Sequence, residues 1–183
     1  MSIGSKSILF GVHQFLLHPL LVWISWWKLY GRIPGFRESV CILFHDFGYI
    51  FKRDIDGGEG IYHPRLGAAI VGLFFGEDES RLVLYHSRTL SSLDGEEVSI
   101  LCMPDKLSIL LYPDWLYLLL SNLSKEIYEY KFRMGMTDFS NKEWLLEVKY
   151  MAYNWALNNA SDCERKRIML KFSSFLPLEG RAV

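Results

Sequence analysis

His45 and Asp46 stand side by side at the end of the apolar run Val40-Cys41-Ile42-Leu43-Phe44, and Phe47-Gly48-Tyr49 follow. Burying two such polar groups without partners costs roughly 2–7 kcal/mol each. A divalent metal ion satisfies both together, because first-row metals accept a neutral imidazole nitrogen and a carboxylate oxygen as ligands. The chain has five histidines, and four of them can share one constellation. His18 precedes Pro19, His63 precedes Pro64, and His86 lies in Tyr85-His86-Ser87-Arg88. Asp105 is an acid amid apolar residues in Met103-Pro104-Asp105-Lys106-Leu107. Each marks an element end or a core-facing position, where several helices can meet at one point. His13 is left without a role.

One chemistry that a pair of metal ions in such a set can support is hydrolysis of a phosphate bond. Such a reaction needs a hydroxide near neutral pH and a clamp for developing negative charge, and two cations about 3.5–4 Å apart supply both. Four neutral imidazoles and two carboxylates leave a two-metal site net positive, which favours an anionic substrate. Arg65, Arg88 and Lys106 each lie within two residues of a proposed ligand. They are candidate phosphate contacts, and arginine suits bidentate binding. The ligands must also converge. Metal bonds of about 2.0–2.2 Å require His45 and Asp105 within about 10 Å of each other.

The elements that must position these residues read as helices. Pro19 suits a first turn, and Leu20, Trp23, Ile24 and Trp27 follow at helical spacing. A second helix runs from about Phe36 into His45-Asp46 and ends near Gly48. Lys52 to Gly60 reads as an exposed loop, within which Asp54 to Gly60 is a candidate lid; the spacing of Asp54, Asp56 and Glu59 is wrong for a calcium-binding EF-hand. Pro64 opens a third helix that stops at Gly76. The acidic turn Glu77-Asp78-Glu79 starts a fourth, leading to His86. Ser91 to Glu96 reads as loop, and Val98 to Leu111 as a fifth helix. Pro113 starts a sixth, Lys142 to Asn158 forms a seventh, and a frayed tail begins at Leu176. The expectation is all-α: a single helical bundle over residues 1–183, with its core at about 13–120 and C-terminal helices at 121–175.

Composition agrees with one folded domain. The chain has 183 residues, half of them hydrophobic and 15% aromatic, which is ample for a single core. A net charge of −1 argues against stable nucleic-acid binding, because no strong counter-ion release is available. Cys41, Cys102 and Cys163 are widely spaced and form no CxxC pair, so free thiols in a reducing, cytoplasmic setting are expected. Ile8 to Trp27 is long enough to span a bilayer. His13, Gln14, His18 and Pro19 interrupt it, so a buried core segment is the better reading. Trp23, Trp26 and Trp27 keep membrane association as the lesser alternative.

The order His18, His45-Asp46, His63, His86, Asp105 resembles the HD-domain superfamily of metal-dependent phosphohydrolases over about residues 13–120, with His18 27 residues before His45. His63-Pro64-Arg65-Leu66-Gly67-Ala68 and His86 look like their counterparts in two-metal members, among them symmetrical diadenosine-tetraphosphate hydrolases. Trp27-Lys28-Leu29-Tyr30-Gly31 resembles segments of small HD proteins of bacteria and phages. The resemblance implies that His18, His45, Asp46 and Asp105 hold one metal and that His63 and His86 hold a second, bridged by Asp46. It implies two divalent ions (Mn, Fe, Co, Ni or Zn) and a small phosphorylated, nucleotide-type substrate. Asp46, Lys106 and Arg88 are then the catalytic candidates, with Arg65, Arg88 and Lys106 on the substrate. Gly48-Tyr49 is an incomplete GYP signature, so cyclic-dinucleotide specificity is not implied. Proton delivery to the leaving group stays unassigned. Two other classes share this pattern: a nucleotide-binding HD protein without catalysis, and an HD-type di-iron oxygenase.

Overall fold

The computed structural model describes residues 1–176. Among them are eleven α-helices, three short 3-10 turns and no strand, so the protein is all-α. The helices are α1 (Ile3–Phe10), α2 (Leu17–Tyr30), α3 (Phe36–Phe44), α4 (Pro64–Phe75), α5 (Glu77–Leu84), α6 (Arg88–Asp94), α7 (Cys102–Leu111), α8 (Asp114–Ser124), α9 (Glu126–Arg133), α10 (Asn141–Asn159) and α11 (Asp162–Phe172). The apolar N-terminal stretch is two helices, broken between Gly11 and Leu16. No helix of the described residues is long and apolar enough to cross a membrane.

Helix α2 is the central strut. It packs on α3, α7 and α11. Val22 and Trp26 are fully buried against Ile42 and Leu101, while Leu29 meets Leu107, Ile168 and Phe172. A second layer forms where α4 and α5 pack as a hairpin around Gly76, whose φ of 104° is a conformation side chains rarely adopt. Cys41, Ala68, Val71 and Val83 close that layer onto α3. These contacts bring the end of α3, the start of α4, the end of α5 and the start of α7 around the first turn of α2.

Four differences from the sequence expectation have local causes. Ser91 to Glu96 is largely helix: Ser87 caps α6, Gly95 closes it at φ 69°, and Leu90 is fully buried. That tertiary burial overrides a serine-rich composition that reads as loop. Helix α7 starts at Cys102, later than Val98. Helix α9 is separated from α8 by Lys125 in a left-handed conformation, φ 70°. The tail is not all peripheral, since Leu176 is buried against Phe172; Pro177 and Gly180 lie outside the described residues. Cys41 and Cys102 are buried, Cys163 is exposed, and all three are free thiols.

Candidate metal centre

Each of the six proposed ligands sits at a helix end, and local chemistry explains why. His18 is the second residue of α2, immediately before Pro19. His45 ends α3, and Asp46 follows with φ −99° and ψ 1°, the sparsely populated bridge region where active-site residues recur. His63 joins the turn Gly60–Tyr62 to α4 in a helical conformation that a following proline disfavours. His86 falls in the short junction between α5 and α6. Asp105 lies in the first turn of α7, where the positive end of the helix dipole favours a carboxylate. Two glycines let these ends approach. A Cβ on Gly48 would overlap the His63 carbonyl oxygen, and one on Gly67 would overlap that of Phe44.

All six are buried, and they form two groups that share Asp46. His18, His45, Asp46 and Asp105 make one; Asp46, His63 and His86 make the other. Within each group the ligand atoms lie within 4.8 Å of one another. Asp46 Oδ2 is 3.1 Å from His18 Nε2 and 3.4 Å from His45 Nε2. Its Oδ1 is 3.2 Å from His63 Nε2 and 3.3 Å from His86 Nε2. Asp105 Oδ1 completes the first group at 3.2 Å from His18 and 3.6 Å from His45, well inside the separation that ligation requires.

The imidazole tautomers show what the site lacks. His45 Nδ1 lies 2.6 Å from the Ile42 carbonyl oxygen, His63 Nδ1 2.7 Å from that of Gly60, and His86 Nδ1 2.6 Å from that of Val83. A carbonyl only accepts, so each Nδ1 donates and each neutral Nε2 presents its lone pair to the centre. His63 and His86 then face each other Nε2 to Nε2 at 3.1 Å with no hydrogen to share. Both also face a carboxylate oxygen. Acceptors packed this closely in a buried space call for a cation among them. Backbone-anchored Nδ1 groups are the usual outer support of metal-binding histidines. The donor set, four imidazole nitrogens and three oxygens from two carboxylates, suits Mn, Fe, Co, Ni or Zn better than calcium.

Proton positions in the metal-free protein tell the same story. Burial pushes the His18 imidazole down, but its hydrogen bonds to Asp105 and Asp46 outweigh this and lift it to about 9. Burial drives His63 down to about 4 against the pull of Asp46. Burial also lowers His45. For Asp46 burial opposes ionisation, yet the facing imidazoles, His45 foremost, hold it well below the usual carboxylate range. Asp105 is likewise held low against burial, chiefly by Lys106. A proton on His18 thus stands where a cation fits.

Of the three basic candidates, only Lys106 is seen in contact with a ligand, its Nζ 2.9 Å from Asp105 Oδ2. Arg65 and Arg88 are exposed, and their guanidinium groups lie over the rings of Tyr62 and Trp155 at 4.4 and 4.9 Å. The loop from Lys52 to Gly60 is anchored: Ile55 is buried, and the Ile55 and Asp56 amides donate to the Glu129 carboxylate. Tyr49 carries no ligand signal in the sequence, yet its ring stacks on His63 at 3.9 Å. Its place right after the His-Asp pair was the available hint.

An all-helical protein with a buried His/Asp cluster able to hold metal ions is the class that fold and site define, and the arrangement is compatible with an HD-type centre. No protein-family model matches the chain, and no curated protein or solved structure matches it either.

Proposed function

We propose that this chain is an HD-type, two-metal phosphohydrolase acting on a nucleotide-type phosphoester or phosphoanhydride. The observation that supports it is the paired ligand groups sharing Asp46, with three imidazoles turned inward by their Nδ1 bonds. His18, His45, Asp46 and Asp105 would hold one divalent ion; His63, His86 and Asp46 would hold the other. When bound, the cations supply Lewis acidity, which makes water a nucleophile near neutral pH and offsets phosphate charge. The protein's own contribution is to hold six buried ligands close together at the meeting of helix ends. Lys106 stands beside Asp105, where its ammonium can meet a phosphate oxygen. Arg65 and Arg88 reach substrate only by leaving their aromatic rings.

The test is metal analysis of the purified protein together with a phosphate-release screen using Mn, Co, Ni, Fe and Zn. Substrates should span nucleoside mono- and triphosphates, dinucleoside polyphosphates and cyclic oligonucleotides. Turnover that requires metal and disappears in Asp46→Ala is the expected result. The same donor set suits iron, so oxygen uptake by the iron-loaded protein without phosphate release would favour an oxygenase instead.

A further inference from the structure

His13 lies outside the six-ligand set, in the turn between α1 and α2. Its Nδ1 is 3.2 Å from Glu126 Oε2 and 2.8 Å from Ser7 Oγ. The Ser7 hydroxyl donates its own hydrogen to Glu126 Oε2 at 2.6 Å. Both neighbours of Nδ1 are therefore acceptors. Nδ1 therefore carries a hydrogen, and whenever the ring is neutral Nε2 carries the lone pair. That lone pair faces Asp46 Oδ2 at 3.9 Å. Two acceptors at this separation do not bond to each other, but an O–H donor fits against both.

Position adds to chemistry. The His13 side chain is 17% exposed, while those of His18, His45, His63 and His86 are 7%, 0%, 8% and 1%. His13 is thus the most exposed of the five imidazoles and stands at the rim of the cluster. It packs on the rings of His18 and Tyr49, and the Tyr49 ring in turn stacks on His63. Behind it, Glu126 is fully buried and held by the Val12 amide and the Ser7 and Ser124 hydroxyls. Glu126 opens α9, where the helix dipole favours its charge.

We propose that His13 is a further catalytic residue of this site. Its Nε2 accepts a hydrogen bond from the attacking water and turns the water's oxygen toward phosphorus. Glu126 acts through His13 as a positioning residue that fixes the ring and its tautomer. The proposal rests on the phosphohydrolase reading. Misplacing a reacting group by about 1 Å can cost about 100-fold in rate, which sets the size of effect expected.

Asparagine and glutamine separate the two ring nitrogens. The amide of Asn overlays Nδ1, and that of Gln overlays Nε2. With Mn-loaded protein and bis(para-nitrophenyl) phosphate, His13→Asn should lose about 100-fold in kcat while keeping metal content and melting temperature near wild type. His13→Gln should keep the larger share of kcat and lose melting temperature, since it gives up the link to Glu126. A histidine that only braces Glu126 gives the reverse order, and that result overturns the proposal. Nitrogen-15 NMR of the metal-free protein above neutral pH provides a second readout. A proton on Nδ1 supports the proposal, and a proton on Nε2 overturns it whatever the substrate. Absence of turnover in the wild type defeats the phosphohydrolase reading beneath it; an active wild type with a fully active His13→Asn defeats this proposal alone.

Discussion

Two buried carboxylate clusters lie on either side of His13, and they are built in opposite ways. Glu126 is surrounded by donors: the Val12 amide at 2.8 Å, the Ser7 and Ser124 hydroxyls at 2.6 Å each, and His13 Nδ1 at 3.2 Å. Its charge is satisfied by the protein itself. Asp46 is surrounded by imidazoles, three of which have spent their hydrogen on a backbone carbonyl. Glu126 has gathered donors, whereas Asp46 is packed among other acceptors, an arrangement that a cation would complete. Burial is alike in the two clusters, so burial alone does not tell function from structure; the direction of the hydrogen bonds does.

The sharpest way to break this contrast is at Asp46. Asp46→Ala should remove both ions, because it deletes the ligand the two groups share, and activity should fall far beyond the roughly 10–100-fold that outer partners contribute. Metal counting and turnover check it. A variant that keeps full activity places the site elsewhere. His63→Ala or His86→Ala should each lose about one metal per chain and reduce turnover by orders of magnitude, because one of two activating cations is gone. Normal turnover at unchanged stoichiometry would reduce the centre to one metal.

Glu126→Ala should show the opposite balance. It strands a partly buried imidazole and two hydroxyls, so stability should drop by about 3–5 kcal/mol in a denaturant titration. Metal stoichiometry should stay at the wild-type level. Loss of metal without loss of stability would erase the distinction between the clusters.

The smallest effects are in pH, and the clusters should answer in opposite directions. His18 is raised from 6.5 to about 9 in the metal-free fold. Its contribution to stability is complete below about 6.5 and is lost as pH rises through about 9. A metal must displace that proton, so affinity at the His18 group should climb by about tenfold per pH unit until about 9 and then level off. Glu126 runs the other way. Burial opposes its ionisation, but the hydrogen bonds from His13 and the two serine hydroxyls keep it below the ordinary carboxylate value. Its contribution is complete above that ordinary value and is lost as pH falls through the folded one. Metal titrations and chemical melts across pH measure both slopes.

Much of the centre could be read from residue types and spacing. The His-Asp pair, the prolines after His18 and His63, His86 at the end of its helical run and the lone acid in the apolar run at Asp105 are short-range signals, and the structure brings all six residues together. Pro64, Gly76 and the acidic turn at Glu77 placed α4 and α5 correctly for the same reason: they act on the backbone within one turn. Helix α6 escaped because its serine-rich stretch reads as loop, and the burial of Leu90, which adds to its Ser87 and Gly95 caps, shows only in the folded chain. Glu126 escaped because nothing local distinguishes it from any acid at a helix start. Its partner His13 is 113 residues away, and only the packing of α1 against α8 brings the two together. Ligand identity is a property of residue type and spacing. Which imidazole nitrogen faces the centre, whether a buried charge has donors or acceptors around it, and how Arg65 and Arg88 are turned depend on contacts between distant segments. The tertiary structure decided those.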